Sequence, residues 1–274
     1  MSIDRLRRTT FEAVADWYRE ARPGYPATLV DDVVRFANLA PDGRILEIGC
    51  GPGNATLPFA QRGYHLLAVE LGERLAALAA ARCRDYPRVA FRRMAFEDWP
   101  VEAEAFDLAI AADAFHWIPP EIGYPKVAQA LKPSGAAAFF WFVPVDPQTD
   151  WSRAIDEVYR EQAPGLENPD RSFTAEWLAG IIRANFRASG CFGKPMVRVY
   201  HWSEAYTAER YLKLLQTYSS HADLDPETRR RLYAEIGRVL ERHGGAILRP
   251  FQVVLFQARL KPSAALSRRH RPNQ

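Results

Sequence analysis

The hydrophobic and polar positions of this chain follow two spacings, and each spacing predicts a different kind of element. Short apolar runs that end at glycine, proline or charged residues predict buried strands. Between these runs, apolar residues recur every three or four positions, which predicts helices with one apolar face. Strands and helices that alternate in this way are typical of an α/β domain with a parallel sheet.

The first predicted strand and the turn after it form the most informative stretch. The apolar run 45–48 suits a strand that is buried on both faces, and Gly49, Gly51 and Gly53 follow it at alternating positions. Glycine tolerates positive φ and has no Cβ, so this loop can lie flat against a ligand. A helix from about Asn54 would then point free backbone N–H groups at that ligand.

The glycine spacing separates two classes of ligand. A dinucleotide-binding loop reads G-x-G-x-x-G, which would require a third glycine where this chain has Asn54. The pattern Glu47-x-Gly49-x-Gly51-x-Gly53 instead resembles motif I of the class I S-adenosylmethionine (SAM) dependent methyltransferases. The resemblance implies a SAM cofactor and methyl transfer to an oxygen, nitrogen or carbon atom. An NAD(P)-dependent oxidoreductase is the alternative enzyme, and a non-catalytic binding protein with the same fold is the alternative outside the enzymes.

The remaining apolar patterns complete a Rossmann-like, doubly wound and mostly parallel sheet of seven strands. Strands after the first are predicted at 66–69, 89–92, 136–143, 196–202 and 251–260, and the stretch 106–117 is predicted as a fourth strand that runs into a loop. Helices are predicted at 11–22, from Pro26 onward, and at 75–83, 121–131, 151–162 and 174–188, with a later helical face formed by Tyr211, Leu214, Leu215 and Tyr218. Right-handed crossovers would bring the carboxyl ends of the parallel strands to one edge, where ligands bind in such sheets.

Acidic residues follow two of these strands. Glu70 ends the second strand, where α/β cofactor domains hydrogen-bond ribose hydroxyls, although a solvated carboxylate is the alternative. The methyltransferase resemblance implies that Glu97 or Asp98, with Asp98 preferred, meets the adenine amino group. The other cofactor contacts that it implies are Asn54, Leu71, Ala112 and Phe115.

The loop after the fourth strand contains the candidate catalytic residue, His116. The resemblance places this loop beside the transferring methyl group, where an imidazole, with an ordinary pKa of about 6.5, can orient the nucleophile or take its proton. A histidine that only packs between Phe115 and Trp117 is the alternative. Pro119 and Pro120 follow without an aromatic residue, unlike the motif of many nucleic-acid and protein methyltransferases, so a small-molecule substrate is favoured.

The start of the chain predicts a lid. The pattern Tyr18-x3-Arg22-Pro23-x-Tyr25-Pro26 resembles the N-terminal cover of small-molecule methyltransferases of the trans-aconitate methyltransferase type, with an ordinary turn as the alternative. The resemblance implies that this segment folds over the mouth of the site. Helices around the last strands are predicted to cap the crevice. The candidate lid and substrate contacts are Tyr18, Arg22, Tyr25, Trp117, Trp141, Trp177, Tyr218 and His221.

Length and pattern together predict one α/β domain with additions. The chain has 274 residues, of which 48% are hydrophobic, enough for a packed core. We predict a helical lid at 1–40, a SAM-binding core at 41–144, a helical cap with the closing strands at 145–262, and a disordered basic tail at 263–274.

Charge and cysteine usage limit the partners. The net charge is +3, but three arginines of the predicted tail account for it, so no basic stripe for nucleic acid is expected. Cys50, Cys83 and Cys191 are odd in number and widely spaced, which argues against disulfides and a metal cluster. No long apolar run or signal-like start is present, so the expectation is a cytoplasmic protein without a membrane partner. The oligomeric state stays open.

Overall fold

The computed structural model describes residues 15–262 and contains the predicted seven-stranded sheet. The strands are β1 (Arg44–Ile48), β2 (His65–Glu70), β3 (Val89–Arg93), β4 (Phe106–Ala112), β5 (Leu131–Val143), β6 (Met196–Thr207) and β7 (Ala246–Arg259). Their order across the sheet is β3-β2-β1-β4-β5-β7-β6. The pairs β3–β2, β2–β1, β1–β4 and β4–β5 are parallel, which confirms the Rossmann-like, mostly parallel sheet.

Helices connect the strands. They are α1 (Ala15–Ala21), α2 (Ala27–Ala37), α3 (Thr56–Ala60), α4 (Glu73–Arg82), α5 (Pro120–Ala130), α6 (Asp150–Gln162), α7 (Ala175–Ser189), α8 (Ala208–Gln216), α9 (Ser219–Ala222) and α10 (Pro226–Arg242). The predicted first helix begins before the described residues, and the predicted tail lies entirely outside them. Across residues 15–262, none of the helices combines the length and the apolar character needed to cross a bilayer.

The central strands form because their apolar runs are buried on both faces. Ile45 and Leu46 of β1 are fully buried, and so are Leu108 and Ala109 of β4, which pair with them directly. A parallel sheet covered by helices on both sides requires such continuous apolar runs. Because β2 and β4 both pair with β1 in parallel, their carboxyl ends lie at the same edge of the sheet as the glycine loop.

The described chain divides into two compact units. The Rossmann-like unit consists of Gly24–Trp141, Glu176–Tyr200 and residues 254–262, and the helical unit consists of residues 15–23, Phe142–Ala175 and His201–Val253. Strands β5, β6 and β7 each contribute residues to both units. Helix α2, which the sequence assigned to the lid, belongs to the Rossmann-like unit. The predicted lid, core and cap bounds, and the closure of the lid, stay predictions.

The helical unit has its own apolar core, formed largely by α6, α8 and α10. Ile155, Leu232 and Ile236 are fully buried in it. Each of the three helices begins with a side chain that accepts a backbone N–H: Thr149 caps α6, Thr207 caps α8 and Asp225 caps α10. Such caps satisfy donors that a helix start leaves without a partner.

Two helix boundaries differ from the sequence prediction. Helix α3 begins at Thr56, two residues later than expected, because Gly53 has φ +84 and holds the backbone outside helical geometry. Helix α8 ends at Gln216, so Tyr218 does not share its face. There the Thr217 hydroxyl donates to the Leu214 carbonyl at 2.6 Å and helps to satisfy the end of the helix.

Three strand boundaries also differ. Strand β5 begins at Leu131, five residues before the predicted start at 136, and its pairing with β4 shifts register between Leu131 and Ala136. Strand β6 continues five residues past the predicted end, and β7 begins five residues earlier than predicted. These two strands are neighbours in the sheet, so each supplies hydrogen-bond partners for a stretch whose own residues favour strand only weakly.

Candidate active site

The glycine loop after β1 is held in a conformation that only glycine adopts easily. Gly49, Gly51 and Gly53 have φ of +66, +54 and +84. A Cβ on Gly49 would lie 2.5 Å from the Cβ of Ala114, and one on Gly53 would lie 3.3 Å from the backbone of Ala79. A Cβ on Gly51 would meet no atom within 4 Å. The loop therefore packs tightly against the protein at two glycines and offers open space at the third.

Glu47 lies fully buried near the end of β1, directly before this loop. Neither carboxylate oxygen makes a hydrogen bond of good geometry among the described residues, although the hydroxyl of Thr56 lies near enough to favour the ionised form of Glu47. Burial raises the pKa of Glu47 to about 8, the hydroxyl of Thr56 counters that shift in part, and the negative charge of Glu70 adds to it. Burying a polar group without a partner is costly, so this carboxyl group is suited to bind a polar ligand.

Glu70 connects two loops at the carboxyl edge of the sheet. One carboxylate oxygen accepts the N–H of Gly51 at 2.8 Å, and the other accepts the N–H of Gly72 at 2.8 Å. Leu71, which is half-buried, lies between Glu70 and Gly72 in the sequence. A carboxylate oxygen accepts more than one hydrogen bond, so the predicted ribose contact of Glu70 is compatible with this arrangement and stays a prediction.

The side chain of Asn54 is hydrogen-bonded within the protein. Its side-chain oxygen accepts from the Arg82 guanidinium at 2.7 Å, and the same nitrogen donates to the Pro52 carbonyl at 2.9 Å. Arg82 is the last residue of α4. These contacts support the shape of the glycine loop, whereas a direct contact of Asn54 with the cofactor stays a prediction.

The predicted adenine contacts lie in the loop after β3. Asp98 is exposed and its N–H donates to the Ala95 carbonyl at 3.0 Å, while half-buried Glu97 accepts from Lys126 through its backbone carbonyl at 2.6 Å. Trp99 is buried and its ring stacks on Phe96 at 5.8 Å between centroids. The loop is thus well anchored, and the choice between Glu97 and Asp98 for adenine stays a prediction.

Asp113 is a residue of this edge that the sequence reasoning did not assign. It follows β4 with φ +51, and its N–H donates to the Phe140 carbonyl at 2.9 Å. Its carboxylate accepts the hydroxyl of Tyr25 at 3.0 Å, and the Tyr25 ring meets Phe140 edge-on at 4.8 Å. An acid directly after a buried strand was the signal that could have identified it. Tyr25, a predicted lid residue, thus lies at the carboxyl end of β4.

His116 lies in a single turn, Phe115–Trp117, just after Asp113. The indole N–H of Trp141 donates to Nδ1 of His116 at 3.0 Å. Trp141 is 4% exposed whereas His116 is exposed, and the Trp117 ring lies 5.0 Å from the imidazole. Phe115 is buried and stacks on Phe139 at 4.0 Å, and half-buried Ala112 ends β4. The turn thus presents His116 while Phe115 fixes it to the core.

Three other predicted contacts belong to the helical unit and lie together there. The Arg22 guanidinium lies over the rings of Tyr18 and Tyr218, at 5.0 and 4.7 Å, and donates to the Thr217 hydroxyl at 2.9 Å. Cation–π contacts and this hydrogen bond hold its orientation. A substrate contact of these three residues stays a prediction.

His221 and Trp177 were both predicted to line the cap, and a substrate contact of either residue stays a prediction. His221 is fully buried between the hydroxyls of Tyr159 and Tyr233, each 3.1 Å from a ring nitrogen. Burial, and then the charge of Arg229, lower its pKa to about 4. His221 is an interior residue of the helical unit, and both of its ring nitrogens are hydrogen-bonded there. Trp177 belongs to the Rossmann-like unit and is 58% exposed on α7.

Comparison with known proteins agrees with this geometry. Residues 45–135 match a family described as a methyltransferase domain. An uncharacterized methyltransferase of Mycobacterium tuberculosis is 29% identical over 150 residues, and the match spans 54% of this chain and only 58% of that protein. Trans-aconitate 2-methyltransferase of Variovorax paradoxus is 35% identical over 96 residues, which span 35% of this chain and 37% of that enzyme.

A solved structure supports the fold. The structure of a putative type II methyltransferase from Anaeromyxobacter dehalogenans has a TM-score of 0.60 and 23% identity, over 87% of this chain and 96% of the other. The matched family region holds the glycine loop, Glu70 and His116. The core of this chain is therefore a methyltransferase domain of the class I, SAM-dependent type, as motif I predicted. SAM is the cofactor of that class, and the open space at Gly51 and the buried carboxyl group of Glu47 fit such a ligand.

Proposed function

We propose that this protein transfers a methyl group from SAM to an oxygen, nitrogen or carbon nucleophile of a small molecule and releases S-adenosylhomocysteine. The observation that carries the proposal is the open space at Gly51 in the glycine loop, which the buried, unpartnered carboxyl group of Glu47 precedes by four positions in the chain. A closed glycine turn would have no use for either feature. The family match over residues 45–135 supports the same conclusion.

SAM supplies a methyl group on a positively charged sulfur atom. The residues of this chain that would hold it are Glu47, the glycine loop and Glu70. Glu70 places a carboxylate at this edge, and a positive charge nearby would favour ionisation of Glu47, whose pKa burial raises to about 8, so a positively charged ligand would be favoured here. The role of the remaining residues is to hold the nucleophile in line with the methyl group and to exclude water.

Two observations support a small molecule as the methyl acceptor. Outside the three arginines of the C-terminal tail the chain is neutral overall, whereas proteins that bind nucleic acid usually carry a basic face. In addition, the turn at Pro119 and Pro120 lacks the aromatic residue typical of nucleic-acid and protein methyltransferases. The likeness to trans-aconitate 2-methyltransferase favours the same class of acceptor.

Calorimetry with SAM, S-adenosylhomocysteine and NAD tests the proposal. We expect the first two to bind and NAD not to bind. Gly51→Val should abolish binding because its side chain fills the open space, whereas Gly63→Val is the matched control, with φ +83 and equally open surroundings outside this loop. Glu70→Ala should weaken binding by about 1–3 kcal/mol, the scale of a hydrogen bond to a charged group.

Two results would contradict the proposal in different ways. Tight NAD binding without SAM binding would assign the chain to the oxidoreductases. SAM binding without S-adenosylhomocysteine formation, across a broad panel of metabolites, would leave a binding protein with the same fold. Formation of S-adenosylhomocysteine with any acceptor establishes the enzyme.

A further inference from the structure

The hydrogen bond between Trp141 and His116 fixes which imidazole nitrogen carries the proton. An indole N–H only donates, so Nδ1 of His116, 3.0 Å away, must accept with its lone pair. A neutral histidine then carries its proton on Nε2. The opposite tautomer, or an imidazolium ion, would direct Nδ1–H against the indole N–H. The protonation pattern of His116 thus follows from the chemistry of Trp141.

Trp141 is well placed to impose this pattern. It is 4% exposed, and its ring packs edge-on against Phe139 at 6.5 Å and Phe256 at 5.7 Å. These contacts hold the indole N–H in one direction. His116 lies in a turn whose preceding residue, Phe115, is stacked on the same Phe139. Donor and acceptor are therefore anchored to one aromatic cluster of the Rossmann-like unit.

We infer that Trp141 is a positioning residue that keeps His116 in the Nε2–H tautomer, and that His116 therefore donates a hydrogen bond to an acceptor atom that arrives already deprotonated. The inference rests on the proposed methyl transfer and narrows its substrate to a small molecule with an anionic oxygen. A histidine whose Nε2 already holds a proton cannot take another there from a neutral hydroxyl group or an ammonium group.

An anionic oxygen needs no base. It forms its bond to the methyl carbon as the carbon–sulfur bond breaks, and sulfur keeps that electron pair and becomes neutral. No proton has to leave the acceptor, so a donor that orients the oxygen is sufficient. The rival acceptor is an amine, which the Asp113 carboxylate three residues earlier would favour by charge.

Nitrogen NMR of the histidine rings tests the tautomer without any substrate. In the full ¹⁵N-labelled protein, the His116 signals are identified by their loss in His116→Gln. We expect Nδ1 to show the shift of a bare nitrogen and Nε2 that of a protonated one. Trp141→Phe keeps an aromatic ring but removes the indole N–H donor, so it should increase the fraction of His116 that carries its proton on Nδ1. Trp202→Phe is the control, because its indole N–H donates to Glu204 in the helical unit. A protonated Nδ1 in the wild-type protein overturns the inference even if Trp141→Phe fails to fold.

Kinetics tests the substrate class. With SAM as methyl donor, a panel of carboxylic acids is compared with amines and alcohols of matched carbon skeleton. We expect turnover of the acids, which are deprotonated at neutral pH, a loss in His116→Ala, and recovery of most of that loss in His116→Gln, because an amide donates but takes no proton at neutral pH. Preference for amines or alcohols, or a loss of about 10²-fold or more in both variants, as expected for a general base, overturns it. Absence of turnover with every acceptor would instead count against the proposed function. The NMR experiment would then still decide whether Trp141 sets the tautomer of His116.

Discussion

Gly49 and Ala114 lie so close that a Cβ on Gly49 would be only 2.5 Å from the Cβ of Ala114. The contact joins the loop after β1 to the loop after β4, and it leaves no room for any other residue at position 49. Gly51, two residues further on, faces open space with a similar positive φ. Gly49 is therefore required for close packing, whereas Gly51 leaves space in which a ligand can bind.

We predict that Gly49→Ala destabilises the protein far more than Gly51→Ala. Both variants force an L-residue into left-handed backbone, at about 1–2 kcal/mol, but only Gly49→Ala also overpacks the core, at about 1–3 kcal/mol more. Urea unfolding of both variants measures the difference. Equal losses of unfolding free energy would mean that the loop after β4 moves aside for the Cβ of Gly49→Ala at little cost.

Glu47 should make the ligand-free protein less stable as the pH rises. Its pKa in the folded protein is about 8, above its ordinary value of 4.5, so the folded state holds a proton that the unfolded state has lost between these values. The stability is full below about pH 4.5 and declines toward pH 8, with each pKa unit worth about 1.4 kcal/mol. We expect Glu47→Gln, which stays neutral, to gain stability relative to wild type between pH 5 and pH 8. Parallel pH curves for the two proteins would show that Glu47 is ionised when the ligand is absent.

His221 should act in the opposite direction. Its pKa is lowered to about 4 from 6.5, so the folded state excludes a proton that the unfolded state binds. The stabilisation is present above about pH 6.5 and is lost as the pH falls toward 4. The advantage of wild type over His221→Gln in unfolding free energy should therefore shrink over this range. An advantage that stays constant at every pH would show that the buried imidazole accepts a proton without penalty.

Arg249 and Asp170 form an ion pair in the helical unit, with side chains 7% and 6% exposed. Asp170 also accepts the Tyr211 hydroxyl at 3.3 Å. We predict that Arg249→Met costs about 3–5 kcal/mol of unfolding free energy, because it leaves a buried carboxylate without its partner. Adding Asp170→Leu should recover part of that loss. Arg230→Met, which breaks an exposed pair with Glu227, is the control and should change stability little. If Arg249→Met and Arg230→Met lost similar amounts of unfolding free energy, burial of the ion pair would not explain its contribution.

Local sequence pattern was enough to predict the sheet and the glycine loop, since both depend on neighbouring residues. The apolar run of β1 and the three glycines predicted strand, loop and ligand class, and the family match confirmed that class. Contacts between distant residues were not predictable in this way. Trp141 reaches His116 across 25 positions, and Tyr25 reaches Asp113 across 88.

The strand ends show the same limit. Ser203, Glu204 and Ala205 have weak strand preference, so the sequence predicted that β6 ends before them. In the sheet, β6 lies beside β7, and backbone pairing between neighbours extends both strands. The partners of His221 were not predictable for a related reason: the two tyrosines that satisfy its ring nitrogens come from positions 62 residues before it and 12 residues after it.

The two hydrogen bonds that Glu70 accepts from Gly51 and Gly72 have a consequence for the kinetics of ligand capture. Glycine-rich loops lose much conformational entropy when they become ordered, and an unfastened loop would lose it at the moment of binding. Here one backbone N–H of each loop is already hydrogen-bonded to Glu70 in the folded chain, so less of this entropy remains to be lost when a ligand binds. A ligand that arrives at this edge meets a preformed surface, and its association rate should therefore be set by diffusion and orientation instead of by loop closure.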